Sequence, residues 1–142
     1  MKINTKVRYG LRAMIEIRNN QNKGVFQKQI SESQEIPLAY LDSIITGLRN
    51  AGLIANFSGK SSGYILTRKA SEISVYDIFR AFEPELALVN CVCPTNACKR
   101  TDICPTKDYW FELNKQIKLM MSNSTLDELA ANEKNDSAIT NQ

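Results

Sequence analysis

Two short helical patterns joined by only three residues, Gln34-Glu35-Ile36, constrain this chain more than any other feature. That is the connection length of a helix-turn-helix. Upstream, Val7, Leu11, Met14 and Ile15 recur at helical spacing and predict a first helix from Thr5 to Arg18, followed by an Asn-rich loop from Asn19 to Gly24. A second helix is expected over Phe26 to Ser33. Pro37 opens a third, because proline is tolerated in a first turn, and Leu38, Leu41, Ile44, Ile45 and Leu48 form its apolar stripe before Gly52 stops it. The opposite face carries Ala39, Tyr40, Asp42, Ser43 and Thr46, small and polar residues suited to a groove.

Leu53 to Phe57 and Tyr64 to Thr67 are strand-like runs flanking Ser58-Gly59-Lys60-Ser61-Ser62-Gly63, which predicts a β-hairpin wing. Ser58, Lys60 and Ser61 at its tip are candidates to approach phosphates or a minor groove. A fourth helix, Ser74 to Glu83, buries Val75, Ile78, Phe79 and Phe82 and stops at Pro84. Pro105 opens a longer helix with an apolar seam of Trp110, Leu113, Ile117, Met120 and Met121 that requires a partner. Thr125 and Glu128 form a capping-box pattern for a last helix, Leu126 to Ala131. The expected class is mainly α with a small β-hairpin: a winged helix-turn-helix (1–83), a cysteine-rich loop (84–105), a dimerisation helix with a short capping helix (106–131) and a disordered tail (132–142).

Charge is distributed unevenly. Residues 1–83 hold twelve Lys or Arg against seven acids, whereas residues 84–142 hold six against eight. A basic N-terminal half suits a nucleic-acid partner. Lys28, Arg49 and Lys60, and with them Arg68 and Lys69, are candidate phosphate contacts; the bland alternative is solvated charge. Neither an export signal nor an apolar run of about 18 residues is present, so a cytoplasmic protein without membrane contact is expected.

All four cysteines, Cys91, Cys93, Cys98 and Cys104, fall within 14 positions. In a reducing compartment such crowding points to a metal or redox site rather than to structural disulfides. The chain has no histidine, which excludes Cys-His and Ser-His catalysis, and neither an enzyme nor a small-molecule substrate is expected. Cys93, Cys98 and Cys104, or Cys91 with the last two, suit a loop wrapping an iron–sulfur cluster. The close paired knuckles of a structural zinc site are lacking.

Several segments together resemble the Rrf2 family of bacterial regulators, with its IscR, NsrR, RirA and CymR types. They are Thr5-Lys6-Val7-Arg8-Tyr9-Gly10-Leu11-Arg12, Tyr40-Leu41-Asp42, Leu48 to Ile54, Gly63-Tyr64-Ile65-Leu66, Cys98 with five residues to Cys104, Trp110, and Thr125 to Leu129. The resemblance spans about residues 1 to 130. It implies a homodimer clasped by the long helix, each winged head reading half of a near-palindromic double-stranded operator. It further implies that Asp42 reads bases, that Ala39 stands where the IscR type has a contacting serine, and that the cysteines hold an iron–sulfur cluster of two-iron or four-iron type.

This chain departs from that pattern in three places. The family often has Arg-Gly-x-Gly-Gly-Gly-Tyr at the wing, where this chain has Ser58 to Tyr64. Lys107 replaces the histidine of the IscR type, and Arg8 replaces the acid that some NsrR types lend. The fourth ligand is then the second of Cys91 and Cys93, an acid among Asp102, Asp108 and Glu85, or a small molecule. Two other functions are consistent with the cysteines: a cluster-free thiol–disulfide switch on the same fold, and a small redox protein.

Overall fold

A computed structural model describes residues 2–58, 63–92, 99–100 and 102–132. Helix α1 spans Thr5–Asn19 and is capped by Asn4, whose side chain accepts from the Lys6 N–H. Helix α2, Gln27–Gln34, ends at Glu35, which takes the left-handed conformation at φ 54°. Ser31 closes the turn from both sides: its carbonyl accepts from the Ile36 N–H and its hydroxyl donates to the Ile36 carbonyl at 2.6 Å. Helix α3 runs Leu38–Asn50 with Pro37 as its cap. Gly52, at φ 75°, lets the Leu53 N–H reach back to the Leu48 carbonyl at 3.1 Å and so stops α3.

Strands β1 (Ile54–Asn56) and β2 (Tyr64–Leu66) pair antiparallel, with Ile54 opposite Leu66 and Asn56 opposite Tyr64. The fold is therefore mainly α with one hairpin, as expected. Val25 adds a further rung, outside the β1–β2 ladder, that the sequence does not announce, exchanging two backbone hydrogen bonds with Tyr64 at 3.1 and 2.8 Å. Gly63 permits this rung, since a Cβ there would come within 2.9 Å of the Val25 backbone.

Helix α4 covers only Val75–Arg80, shorter than its apolar pattern suggests. Ala81 to Glu83 tighten into turns on the Ile78 and Phe79 carbonyls, and Pro84 bars helical geometry at the residue before it. Helix α5 spans Lys107–Asn123. A last helix, α6, occupies 126–132 and opens with the expected Thr125–Glu128 capping box. The expected tail lies outside the described residues from 133 onward.

Met14 and Ile17 of α1, Ile30 of α2, Leu41, Ile44 and Leu48 of α3, and Ile73 and Ile78 form one closed core. Leu126 of α6 is buried in it, anchored by its N–H on the Ile73 carbonyl at 2.9 Å and by the Arg18–Asp127 ion pair at 3.0 Å. Helix α6 is thereby stitched onto the head; burying a leucine contributes about 1.5–3 kcal/mol.

A second cluster, Val7, Phe79 and Leu86, receives Ile117 and Met121 of α5. The seam read from sequence is thus divided. Ile117 and Met121 face their own head, while Met120 is 74% exposed and, with Tyr109, Phe111 and Leu119, leaves apolar surface open.

Candidate nucleic-acid interface and cysteine segment

Burial of Leu41, Ile44, Ile45 and Leu48 turns the other side of α3 outward. Ala39, Asp42, Thr46 and Arg49 are exposed along it at helical spacing, and Ser43 is half-buried at its margin. The Thr46 hydroxyl donates to the Asp42 carbonyl and the Ser43 hydroxyl to the Tyr40 carbonyl, both at 2.8 Å, leaving oxygen lone pairs toward solvent. Asp42 is not a free carboxylate: the Gln27 side-chain amide, from the first turn of α2, donates to its Oδ1. Gln27 therefore belongs to the site, although nothing in its local pattern singles it out.

Tyr40 packs edge-on against Tyr9 of α1, with ring centres 5.4 Å apart, and the Arg12 guanidinium lies over the other ring at 5.3 Å. It buttresses α3 against α1. Lys28 is exposed on α2. Arg49 reaches the wing, its Nη2 donating to the Tyr64 hydroxyl at 2.7 Å. Ser58 is exposed where the first wing strand ends, whereas Lys60 and Ser61 lie outside the described residues.

One cation escaped the sequence reading. Lys6, at the start of α1, lines a cleft of about 580 Å³ together with Asp42, Ser43, Thr46 and Asn50 of α3. Only the packing of α1 across α3 brings it there. Arg68, by contrast, is engaged away from this face, paired with Asp77 at 3.0 Å.

The chain leading into the cysteine segment is held by α5. The Asn114 side chain of α5 accepts from the Leu88 N–H at 3.0 Å and donates to the Leu86 carbonyl at 3.1 Å. Cys91, half-exposed, follows in a 3-10 turn, Asn90–Val92. Cys93 and Cys98 lie outside the described residues. Cys104, also half-exposed, precedes α5 with its Sγ 3.2 Å from the Thr106 hydroxyl. That hydrogen bond, then the Thr106 N–H and the charge of Arg100, hold the Cys104 thiol below its ordinary pKa.

The resulting thiolate character is what a soft metal requires. Among the described residues no three Cys, Asp or Glu side chains converge on one point. Lys107 extends over the Phe111 ring at 5.9 Å, an ammonium contact.

No helix among the described residues is long and apolar enough to cross a membrane. The family model described as Rrf2, iron-dependent transcriptional regulator, matches residues 3–132. The HTH-type transcriptional regulator IscR of Pectobacterium atrosepticum is 34% identical over 134 residues, which cover 94% of this chain and 81% of that protein. Among solved structures, CymR of B. subtilis, described as its global cysteine regulator, superposes with a TM-score of 0.77 at 30% identity, covering 92% of this chain and 97% of that one. T. potens IscR superposes with a TM-score of 0.74 at 31% identity, covering 94% and 88%. The family model and the Pectobacterium relative are named as regulators of transcription, a non-enzymatic role that fits an exposed helix face beside a hairpin. The chain thus belongs to the Rrf2 family of DNA-binding transcriptional regulators.

Proposed function

We propose that this protein is a cytoplasmic, homodimeric operator-binding regulator whose affinity is set by an iron–sulfur cluster on Cys91, Cys93, Cys98 and Cys104. The observation that carries the proposal is the thiol set itself: four cysteines within 14 positions, the last held toward its thiolate by Thr106. The iron dependence in the family's description supports the same reading. When bound, the cluster supplies a metal-centred cross-link between the two ends of the segment.

The chain's own residues do the rest. The α3 face enters a major groove, where the Asp42 carboxylate accepts from a cytosine amino group and the Ala39 and Thr46 methyls meet thymine. Arg49, Lys28 and Lys6 hold phosphates, and Ser58, Lys60 and Ser61 follow the backbone at the wing. Met120, Tyr109, Phe111 and Leu119 supply the apolar surface that a second copy covers.

A second reading is favoured by the likeness to the cysteine regulator CymR and by the exposed, acidified Cys104. In it Cys104 and a second cysteine lose two protons and two electrons to a peroxide, giving a disulfide and water. Anaerobic purification followed by iron and sulfide analysis separates the two. Iron and sulfide lost on serine replacement of the cysteines support the cluster, whereas an iron-free protein that forms a reversible disulfide supports the switch.

A further inference from the structure

Phe82 belongs to both apolar clusters, packing against the main core and against Val7, Phe79 and Leu86. Its ring is received by two glycines on different helices. A Cβ on Gly10 of α1 would come within 2.6 Å of the ring Cε2, and one on Gly47 of α3 within 2.5 Å of Cε1. The ring therefore lies directly on both backbones. It also lines the cleft that holds Lys6, Asp42 and Thr46.

The residues that follow are fixed in turn. The Glu83 carboxylate accepts from the Asn4 side chain at 2.8 Å, Leu86 is buried against Val7, and Asn114 grips the backbone at Leu86 and Leu88. Cys91 is three residues further on.

From this arrangement we infer that Phe82 is a positioning residue: seated between Gly10 and Gly47, it sets how α3 lies against α1 and ties that seat to the segment leading into the cysteines. For its signal the inference rests on the cysteine reading above; for its geometry it does not. Close-packed interiors shift between discrete arrangements rather than compressing, and a ring backed out of its notch leaves glycine surfaces without partner atoms. The helix that carries Gly47 also carries Asp42 and Thr46. A displacement of the 82–88 segment is thereby delivered to the groove-reading face.

The test uses the full-length protein, with Phe82→Leu, Phe82→Ala, Gly47→Ala and the Gly47→Ala/Phe82→Ala pair. Binding to operator and to random-sequence DNA is measured before and after removal of metal, with circular dichroism as the check of folding. Phe82→Leu is expected to stay folded, to lose about tenfold in operator affinity, and to narrow the difference between metal-loaded and stripped forms. Affinity for random DNA, which comes from phosphates, stays where it was. Gly47→Ala does the same in the parent and adds little once the ring is gone.

Operator binding by Phe82→Leu and Phe82→Ala equal to that of the parent overturns the inference. So does an equal loss on operator and random DNA, which marks a head that is merely less folded. If the parent itself binds equally with and without metal, the cysteine reading fails on its own, and Phe82 is judged by the operator-to-random ratio alone.

Discussion

The guanidinium of Arg49 lies 5.3 Å from the centre of the Tyr64 ring and donates to its hydroxyl at 2.7 Å, joining the last turn of α3 to the second strand of the wing. Helix and hairpin are therefore tied together, and the guanidinium of the exposed Arg49 keeps further N–H donors in a fixed fork. Arg49→Ala is expected to lower affinity for all DNA sequences by about 1–2 kcal/mol and to reduce the salt slope by about one. Tyr64→Phe, which keeps the ring, costs less than about 1 kcal/mol. Fluorescence anisotropy over a salt series reads both; an Arg49→Ala loss confined to the operator sequence contradicts the phosphate role.

Asp42, steadied by the Gln27 amide, is the residue expected to choose a base. Asp42→Asn exchanges an acceptor for an amide that suits adenine, so preference at one operator position shifts from cytosine toward adenine by about 1–3 kcal/mol. Gln27→Ala leaves the preferred base unchanged but weakens the choice. Selection from randomised DNA measures both, and an unaltered preference in Asp42→Asn removes Asp42 from the base-reading set.

Thr106 is what lowers the Cys104 thiol pKa. At neutral pH the parent then holds more thiolate than an unassisted cysteine does, and replacing Thr106 by Val returns the titration toward higher pH. In metal-free protein with Cys91, Cys93 and Cys98 changed to serine, Thr106→Val slows alkylation near pH 7 and moves its pH profile upward. Superimposable profiles contradict the assignment.

Glu35 adopts φ 54° in the turn between α2 and α3, where a side chain is strained. Glu35→Gly relieves that strain at some cost in backbone entropy, for a net gain of about 1 kcal/mol. Thermal unfolding measures it, and a lower melting temperature shows that the side chain contributes more than its strain costs.

The connection was legible in its length of three but falls on Glu35 to Pro37, because Gln34 still belongs to α2; the apolar stripe of α3, the hairpin and the capping box at Thr125 were legible because each is set by local pattern. The Val25 rung and the return of α6 were not, since each depends on contacts between residues far apart in sequence, while α4 ends early in local turns on the Ile78 and Phe79 carbonyls that apolar periodicity does not register. The α5 seam illustrates the limit. Periodicity places Ile117, Met120 and Met121 near one another, but only the fold turns two of them to their own head and leaves Met120 outward. In the site, the face of α3 followed from its stripe, whereas Gln27 and Lys6 entered through contacts between helices.

In the proposed function the cysteine segment governs the grip of the winged heads on DNA. Operator affinity measured side by side on anaerobically purified protein and on the same protein stripped of metal tests it most directly. Iron and sulfide are expected in the first sample, with affinities that differ by about tenfold or more between the two, within the usual range of allosteric coupling. Equal affinities, in a protein that binds its operator well in both states, contradict it.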